Sequence, residues 1–465
     1  MSNSLVLKTT SPVDGSIYVE RALATVNEID QALSKAQSAQ RVWQLTSLDD
    51  RAAICERAVQ YFENHRQQIA EEISWQMGRP IAYSAGEING LAERARHMIS
   101  IAPQALADIV PEPTPGFKRF IRRQPLGVVF TVAPWNYPLL TTVNSVIPAI
   151  MAGNSVVLKS SAQTPLCGDH FAAAFRQAGL PEGVLQSLLL SHSDTTALVA
   201  SGKVDFVCFT GSVAAGQKIE QAAAGGFLGL GLELGGKDPA YVRADADLAY
   251  SVECLVDGAF FNSGQSCCGI ERIYVDESLY DEFVAAFVEQ VKSYRLGSPL
   301  DERTTLGPVV RTAAADWVRQ QVNDAVKAGA TACIDPKWFP ESRQGTPYLA
   351  PQVLIDVDHS MSVMREESFG PVVGIMPVAN DEQALALMND SDLGLTASLW
   401  TRDQVSAETL GARIETGTVF MNRCDYLDPA LAWTGVKNTG RGATLSALGY
   451  QQLTQAKSFH LKTID

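Results

Sequence analysis

The chain has 465 residues, 46% hydrophobic and 19% charged, with a net charge of −14, a length that allows about three domains with large apolar cores. An acidic surface repels phosphate backbones and counts against nucleic acid and anionic membrane as partners. No apolar run approaches the roughly 18 residues of a membrane helix, and residues 1–10 lack a basic head followed by an apolar core, so a cytoplasmic protein is expected.

The first elements predicted are helices over 28–43 and 49–77, followed by a Pro-rich stretch over 111–125 that is too punctuated for a helix. From Gly127 onward short apolar runs alternate with amphipathic stretches. Residues 128–132, 155–158, 184–190 and 204–209 read as buried strands, with helices over 166–178 and 215–224 between them. A second series places a helix over 248–261, a strand over 272–275 and helices over 279–294 and 313–328. This alternation predicts an α/β fold with parallel sheets.

Eight cysteines are scattered through the chain without a CxxC pair, and no histidine stands at ligand spacing from any of them. Neither a zinc site nor a disulfide framework is expected, and most of these thiols read as small buried hydrophobes of a reducing compartment.

Four segments carry candidate chemistry. Asn262-Ser-Gly-Gln-Ser-Cys267-Cys-Gly269 puts a cysteine after a Gly-Gln turn at a helix end, where it can emerge into a cleft; taken alone, a buried core thiol reads as well. Gly231-Leu-Glu233-Leu-Gly-Gly-Lys237 sets a glutamate between leucines, which desolvates it and raises its pKa toward that of a general base; a backbone cap is the alternative. Ala133-Pro-Trp-Asn136-Tyr-Pro-Leu139 holds an asparagine amide between two prolines after a strand, as an oxyanion donor or an Asx-turn. Phe209-Thr-Gly211-Ser212-Val-Ala-Ala-Gly216 is a strand, a Gly turn and a helix start, either a pyrophosphate cradle or a plain turn. Gly229-Leu-Gly231 leads into a strand and is a decoy for a dinucleotide motif.

Together these segments resemble the aldehyde dehydrogenase superfamily. Further matches in the same order are Lys159 in Leu158-Lys-Ser-Ser161, Glu366-Glu367-Ser-Phe369-Gly-Pro371, Asn422 in Val419-Phe-Met-Asn422, and Gly435-Val-Lys437-Asn-Thr-Gly440, and the similarity runs over about 11–460. The resemblance implies a Rossmann-like nucleotide-binding domain (1–110 and 126–235), an α/β catalytic domain (236–434) and a β oligomerisation arm (111–125 and 435–465). It also implies a homodimer or homotetramer.

By similarity, Cys267 is the nucleophile, and the Asn136 side chain with the Cys267 N–H holds the oxyanion. Glu233 activates the water that hydrolyses the thioester, which favours a free carboxylic acid as product. NAD or NADP would meet Ser212 and the turn 211–216, including Gly211 and Gly216, at its pyrophosphate. Lys159 would meet the adenine-side ribose and Glu367 the nicotinamide ribose, with Phe369, Trp135 and Pro134 beside the nicotinamide. NAD-preferring members often carry a glutamate where this chain has Ala162. Loss of that carboxylate removes a repulsion against a 2′-phosphate and leaves both cofactors open.

Two further departures concern the proton route and the substrate. Ser145 and Thr444 stand where many members have a lysine and a glutamate that assist proton escape, so the proton is expected to leave Glu233 through water. Succinate-semialdehyde dehydrogenases place an arginine and a serine where this chain has Asn144 and Leu427. The expected lining of Tyr137, Thr141, Asn144, Ser266, Cys268, Leu427 and Trp433 is neutral and fits an uncharged aliphatic or aromatic aldehyde. Arg423 could replace the missing arginine only by turning inward, and a solvent-facing position is expected. The alternatives are a succinate-semialdehyde-type dehydrogenase and a cysteine thioesterase or esterase without hydride transfer.

Overall fold

Runs that are apolar on both strand faces build two parallel sheets. In the computed structural model, which describes residues 5–464, every residue of Val128–Val132 is buried. Val129 enters one core with Cys208, Val156 and Leu158. Val128, Phe130 and Val132 enter the opposite core with Val157, Val207 and Phe209, the two-residue period of a strand covered on both sides.

This first sheet has the order Gly440–Arg441, Gly229–Glu233, Phe206–Thr210, Val128–Val132, Ser155–Lys159, Leu185–Ser187. All neighbours are parallel except Gly440–Arg441, which runs antiparallel to Gly229–Glu233. The second sheet has the order Thr331–Ala332, Gln352–Ile355, Val372–Val378, Ile270–Asp276, Asp238–Val242, Thr396–Trp400, Thr418–Met421. Only its edge strand Thr331–Ala332 is antiparallel. Mixed α/β architecture with parallel sheets is therefore as expected.

The structure redraws several boundaries. The helix predicted over 49–77 is two helices, Leu48–Asn64 and Arg66–Met77, broken at His65, whose backbone (φ −104°, ψ 15°) leaves the helical region. The strand predicted over 184–190 shrinks to Leu185–Ser187, the residues in parallel register with Val156–Leu158. The helix predicted over 248–261 is Leu248–Phe260 and gives way to a tight turn, Phe261–Gly264.

The expected arm also divides. Phe117–Pro125 pairs antiparallel with Thr454–Lys462 over its whole length, with Phe120 stacked on Phe459 at 4.5 Å. Earlier in the C-terminal segment, Val436–Lys437 pairs with Leu393–Gly394, and Gly440–Arg441 completes the first sheet. Within the segment 435–465 expected to form the arm, residues 436–437 and 440–441 are thus paired with strands of the body. Residues 1–4 and 465, at the ends of the expected segments, lie outside the described residues.

The chain ends of the first sheet place the candidate groups together. Residues 133–136 follow Val128–Val132, Lys159 ends its strand, Gly211 and Ser212 follow Phe206–Thr210, and Glu233 ends Gly229–Glu233. Parallel α/β sheets bind ligands at such carboxyl ends. Among the described residues no helix is long and apolar enough to cross a membrane.

Candidate active site

Within residues 262–270 only Cys267 keeps appreciable surface; its neighbours on both sides are buried. The turn that presents it is tightly wound, with positive φ at Asn262 (54°), Ser263 (57°) and Gly264 (70°). Left-handed backbone at two non-glycine residues is unfavourable and persists only where neighbours fix it. Here Ser263 Oγ donates to Gly307 O at 2.8 Å, and Gln265 Nε2 donates to Asn262 O at 3.1 Å. Gln265 Oε1 in turn accepts from Val310 N at 2.7 Å. Gln265 is thus the clamp of the turn. A Cβ on Gly264 would lie 2.3 Å from Gly370 O. Gly264→Ala is expected to lower stability by about 2 kcal/mol or more, read as a drop in denaturation midpoint; an unchanged midpoint would contradict this reading of the turn.

Asn136 is held from both ends. Its carbonyl accepts from Arg79, which also forms a buried pair with Glu87, while Glu87 accepts from Leu139 N at 2.7 Å. Its side-chain Nδ2 donates to Gln265 O at 3.1 Å, so the amide is fixed against the nucleophile loop with one proton to spare. The backbone N–H of Cys267 has no partner among the described residues. A fixed amide and a free N–H are the donor pair that stabilises an oxyanion.

Glu233 accepts from Thr444 Oγ1 at 2.6 Å and from Thr210 Oγ1 at 3.1 Å. Burial raises its pKa above the ordinary 4.5, while those two hydroxyls and the Arg94 charge pull it down. Ser145 Oγ lies 3.2 Å from Thr131 Oγ1 on the same side. Of the two substituted positions, Thr444 sets its hydroxyl on the carboxylate, and Ser145 lines the same small cavity as Glu233.

The glycines of Leu234-Gly-Gly-Lys237 serve close packing. A Cβ on Gly235 would lie 2.5 Å from Glu367 Oε2, and Gly236 N donates to Glu367 Oε1 at 3.0 Å. Lys237 pairs with Glu271, which accepts from Ser368 N at 2.9 Å and Phe369 N at 2.9 Å. This network presents Glu367, whose carboxyl is pushed up to about 8 by burial and by the Glu271 charge. Phe369 meets Trp135 edge to face at 5.6 Å.

Lys159 is buried, donates to Ser160 O at 3.0 Å, and is brought down to about 8 by desolvation. Ala162 is exposed nearby, its carbonyl accepting from Thr9 Oγ1 at 2.8 Å. The turn 211–216 differs in detail from expectation. The Gly211 N–H donates to Glu233 O at 3.1 Å and the Gly216 N–H to Ser212 O at 2.9 Å, so neither is free for a phosphate. Gly216 instead lets its helix approach Leu234. Ser212 caps the helix Val213–Ala223. The N–H groups of Ser212, Val213 and Ala214 are without partners among the described residues, and they fit a pyrophosphate at a helix start.

On the substrate side, Thr141 Oγ1 donates to Tyr137 O at 2.6 Å, and the Tyr137 hydroxyl is buried without a partner among the described residues. Leu427 is half-buried beside the buried Trp433. Arg423 is exposed, its guanidinium 3.5 Å over the Tyr426 ring.

Two charged residues stand against side chains of the expected neutral lining. Ser266 Oγ and Cys268 Sγ each donate to Asp425 Oδ1 at 3.0 Å. Desolvation pushes the Asp425 carboxyl up to about 6. Arg94, buried on the helix Gly86–Ala105, donates to Leu140 O at 2.8 Å and reaches Asn144 Oδ1 at 3.5 Å. Neither belongs to a motif. Asp425 stands three residues beyond Asn422, whose side chain bonds the backbone of Thr401 through two hydrogen bonds.

A model of the aldehyde dehydrogenase family matches residues 1–459. An aldehyde dehydrogenase of Paenarthrobacter nicotinovorans is 35% identical over 98% of this chain and 99% of its own. The succinate-semialdehyde dehydrogenase [NADP(+)] 1 of Mycobacterium tuberculosis is 33% identical over 97% of this chain and 99% of its own. Among solved structures, the NADP-dependent glyceraldehyde-3-phosphate dehydrogenase of Bacillus halodurans complexed with NADP superposes with a TM-score of 0.93 at 30% identity, covering 99% of this chain and 96% of that one.

Proposed function

The chain belongs to the aldehyde dehydrogenase family and is an NAD- or NADP-dependent oxidoreductase; from that premise we propose that it oxidises an aldehyde to a free carboxylic acid through a thioester on Cys267. The observation that carries this reading is the joint placement of a surface-reaching Cys267 with a free N–H, the fixed Asn136 amide and the half-buried, doubly hydrogen-bonded Glu233 carboxylate.

The Cys267 thiol gives up its proton to solvent as its sulfur forms a bond to the aldehyde carbon, and the resulting oxyanion is held by Asn136 Nδ2 and the Cys267 N–H. A bound nicotinamide supplies the acceptor for the hydride that leaves this carbon. Glu233 then takes a proton from water as the water oxygen attacks the thioester carbon. The carbon–sulfur bond breaks, and the acid and the free thiol are released. Ser212, Val213 and Ala214 would hold the pyrophosphate, Lys159 the adenine-side ribose and Glu367 the nicotinamide ribose. Ala162 sets no carboxylate against a 2′-phosphate, which supports use of NADP beside NAD.

An uncharged aldehyde is the first substrate class, with Asp425 and the Tyr137 hydroxyl available to a polar substituent. A second class is favoured by Arg94, whose guanidinium stands against Asn144, the position that carries arginine in succinate-semialdehyde enzymes. In Arg94→Leu, an uncharged-aldehyde enzyme keeps its preference between propanal and succinic semialdehyde. A carboxylate-recognising one loses about tenfold or more in kcat/KM for succinic semialdehyde alone. The exposed arm supports a homodimer or homotetramer, and the free state of all eight cysteines supports a cytoplasmic setting.

A further inference from the structure

A larger cavity of about 500 Å³ opens along the helix Leu248–Phe260 and shares no lining residue with the small one beside Glu233. Its size is that of a small-molecule site. Glu253 and Asp257 line it from the helix, Arg423 and Asp425 from the segment after Asn422, and Tyr83 and Tyr294 from either side. Asp425 ties this cavity to the nucleophile, because Ser266 and Cys268, the two neighbours of Cys267, both donate to its Oδ1 at 3.0 Å.

The lining sets three carboxylates against one guanidinium. That guanidinium, of Arg423, lies over the Tyr426 ring at 3.5 Å. Asp257 stands open to the cavity. Desolvation by the walls raises the pKa of its carboxyl, and no donor or cation of the protein offsets this. Burial, and after it the Asp257 charge, also raises the hydroxyls of Tyr83 and Tyr294, so two aromatic side chains flank the carboxylate.

A desolvated carboxylate without a partner is unfavourable, and it is relieved by a cation. Aromatic faces beside it add to the attraction of an ammonium group. A carboxylate tail would meet like charge here, and an apolar tail would leave the carboxylates unpaired. The net charge of −14 draws cations toward the chain as a whole. We propose that this cavity takes the tail of the aldehyde substrate, and that the tail carries a positively charged nitrogen paired with Asp257. Asp257 touches none of the reacting atoms; it selects which aldehydes are held. The aldehyde end still meets Cys267 and Asn136 as a neutral group.

The inference rests on the thioester reading above, and the test separates the two. Three aldehydes are compared by kcat/KM in the full-length protein: γ-trimethylammoniobutanal, its isostere with carbon in place of nitrogen, and succinic semialdehyde. The quaternary nitrogen keeps its charge at every pH and cannot close onto the aldehyde. The expected result is a preference of about tenfold or more for the cation over its isostere in the wild type. That ratio falls to near parity in Asp257→Asn and inverts in Asp257→Lys, which places a like charge beside the tail. Circular dichroism checks folding, and if the lysine variant fails to fold, the asparagine variant decides. Parity in the wild type, or a preference for succinic semialdehyde over both others, would overturn the inference. So would a preference that Asp257→Asn leaves unchanged, because the cation is then held elsewhere. In those cases turnover of the isostere leaves the thioester reading standing. No cofactor reduction by the wild type with any aldehyde would instead overturn that reading, and this inference with it.

Discussion

Cys267→Ala is expected to lose aldehyde-dependent cofactor reduction by about 10⁴-fold or more while the fold is retained, because removing a covalent nucleophile leaves only binding and oxyanion stabilisation. Cys268 cannot take over. Its thiol is buried and bonded to Asp425, and the neighbouring Cys267 sulfur, burial and the Asp425 charge all hold its pKa well above the ordinary value. Cys268→Ala therefore serves as the paired control and is expected to keep turnover within about tenfold of wild type. Absorbance of the reduced cofactor, with circular dichroism as a check on folding, measures both. Abolition in Cys268→Ala with survival in Cys267→Ala would reverse the assignment.

Glu233→Gln is expected to leave formation of the acyl-enzyme intact and to slow its hydrolysis by about 10³-fold, so that one acyl group per chain accumulates. The amide keeps the shape of the carboxyl but cannot accept the proton of the attacking water. The sign of the pH dependence follows from burial, which raises the Glu233 pKa above 4.5. Below the raised value the carboxyl is protonated and is no base, so hydrolysis falls as pH drops through it. That limb lies at higher pH than an exposed glutamate would give, and in Glu233→Gln it is absent. A variant that hydrolyses its acyl-enzyme at the wild-type rate would show that another group is the base.

Much of this was legible in the chain before any coordinates. Strands such as Val128–Val132 and Ser155–Lys159 are continuous apolar runs because both of their faces are covered, and such runs stand out in a sequence. The candidate catalytic groups lie in short motifs whose glycines have a local cause, as Gly235 shows by leaving room for Glu367. What escaped depends on long-range approach. Arg94 meets Asn144 across 50 residues and Ser266 meets Asp425 across 159. Arg94 and Asp425 carry no motif, and charged residues on helices and in loops usually face solvent. The helix break at His65 turns on a single residue's backbone. The free N–H groups at the helix start fall one to three residues after Gly211, because Gly211 itself bonds to Glu233 O.

The central claim, oxidation through a thioester on Cys267, is tested most directly in Glu233→Gln mixed with cofactor and aldehyde and quenched in acid. The account predicts one acyl group per chain, located on Cys267 by peptide mass, matched by one equivalent of reduced cofactor. Reduced cofactor without an acyl group on Cys267, or an acyl group derived from an ester with no cofactor reduction from any aldehyde, would contradict it.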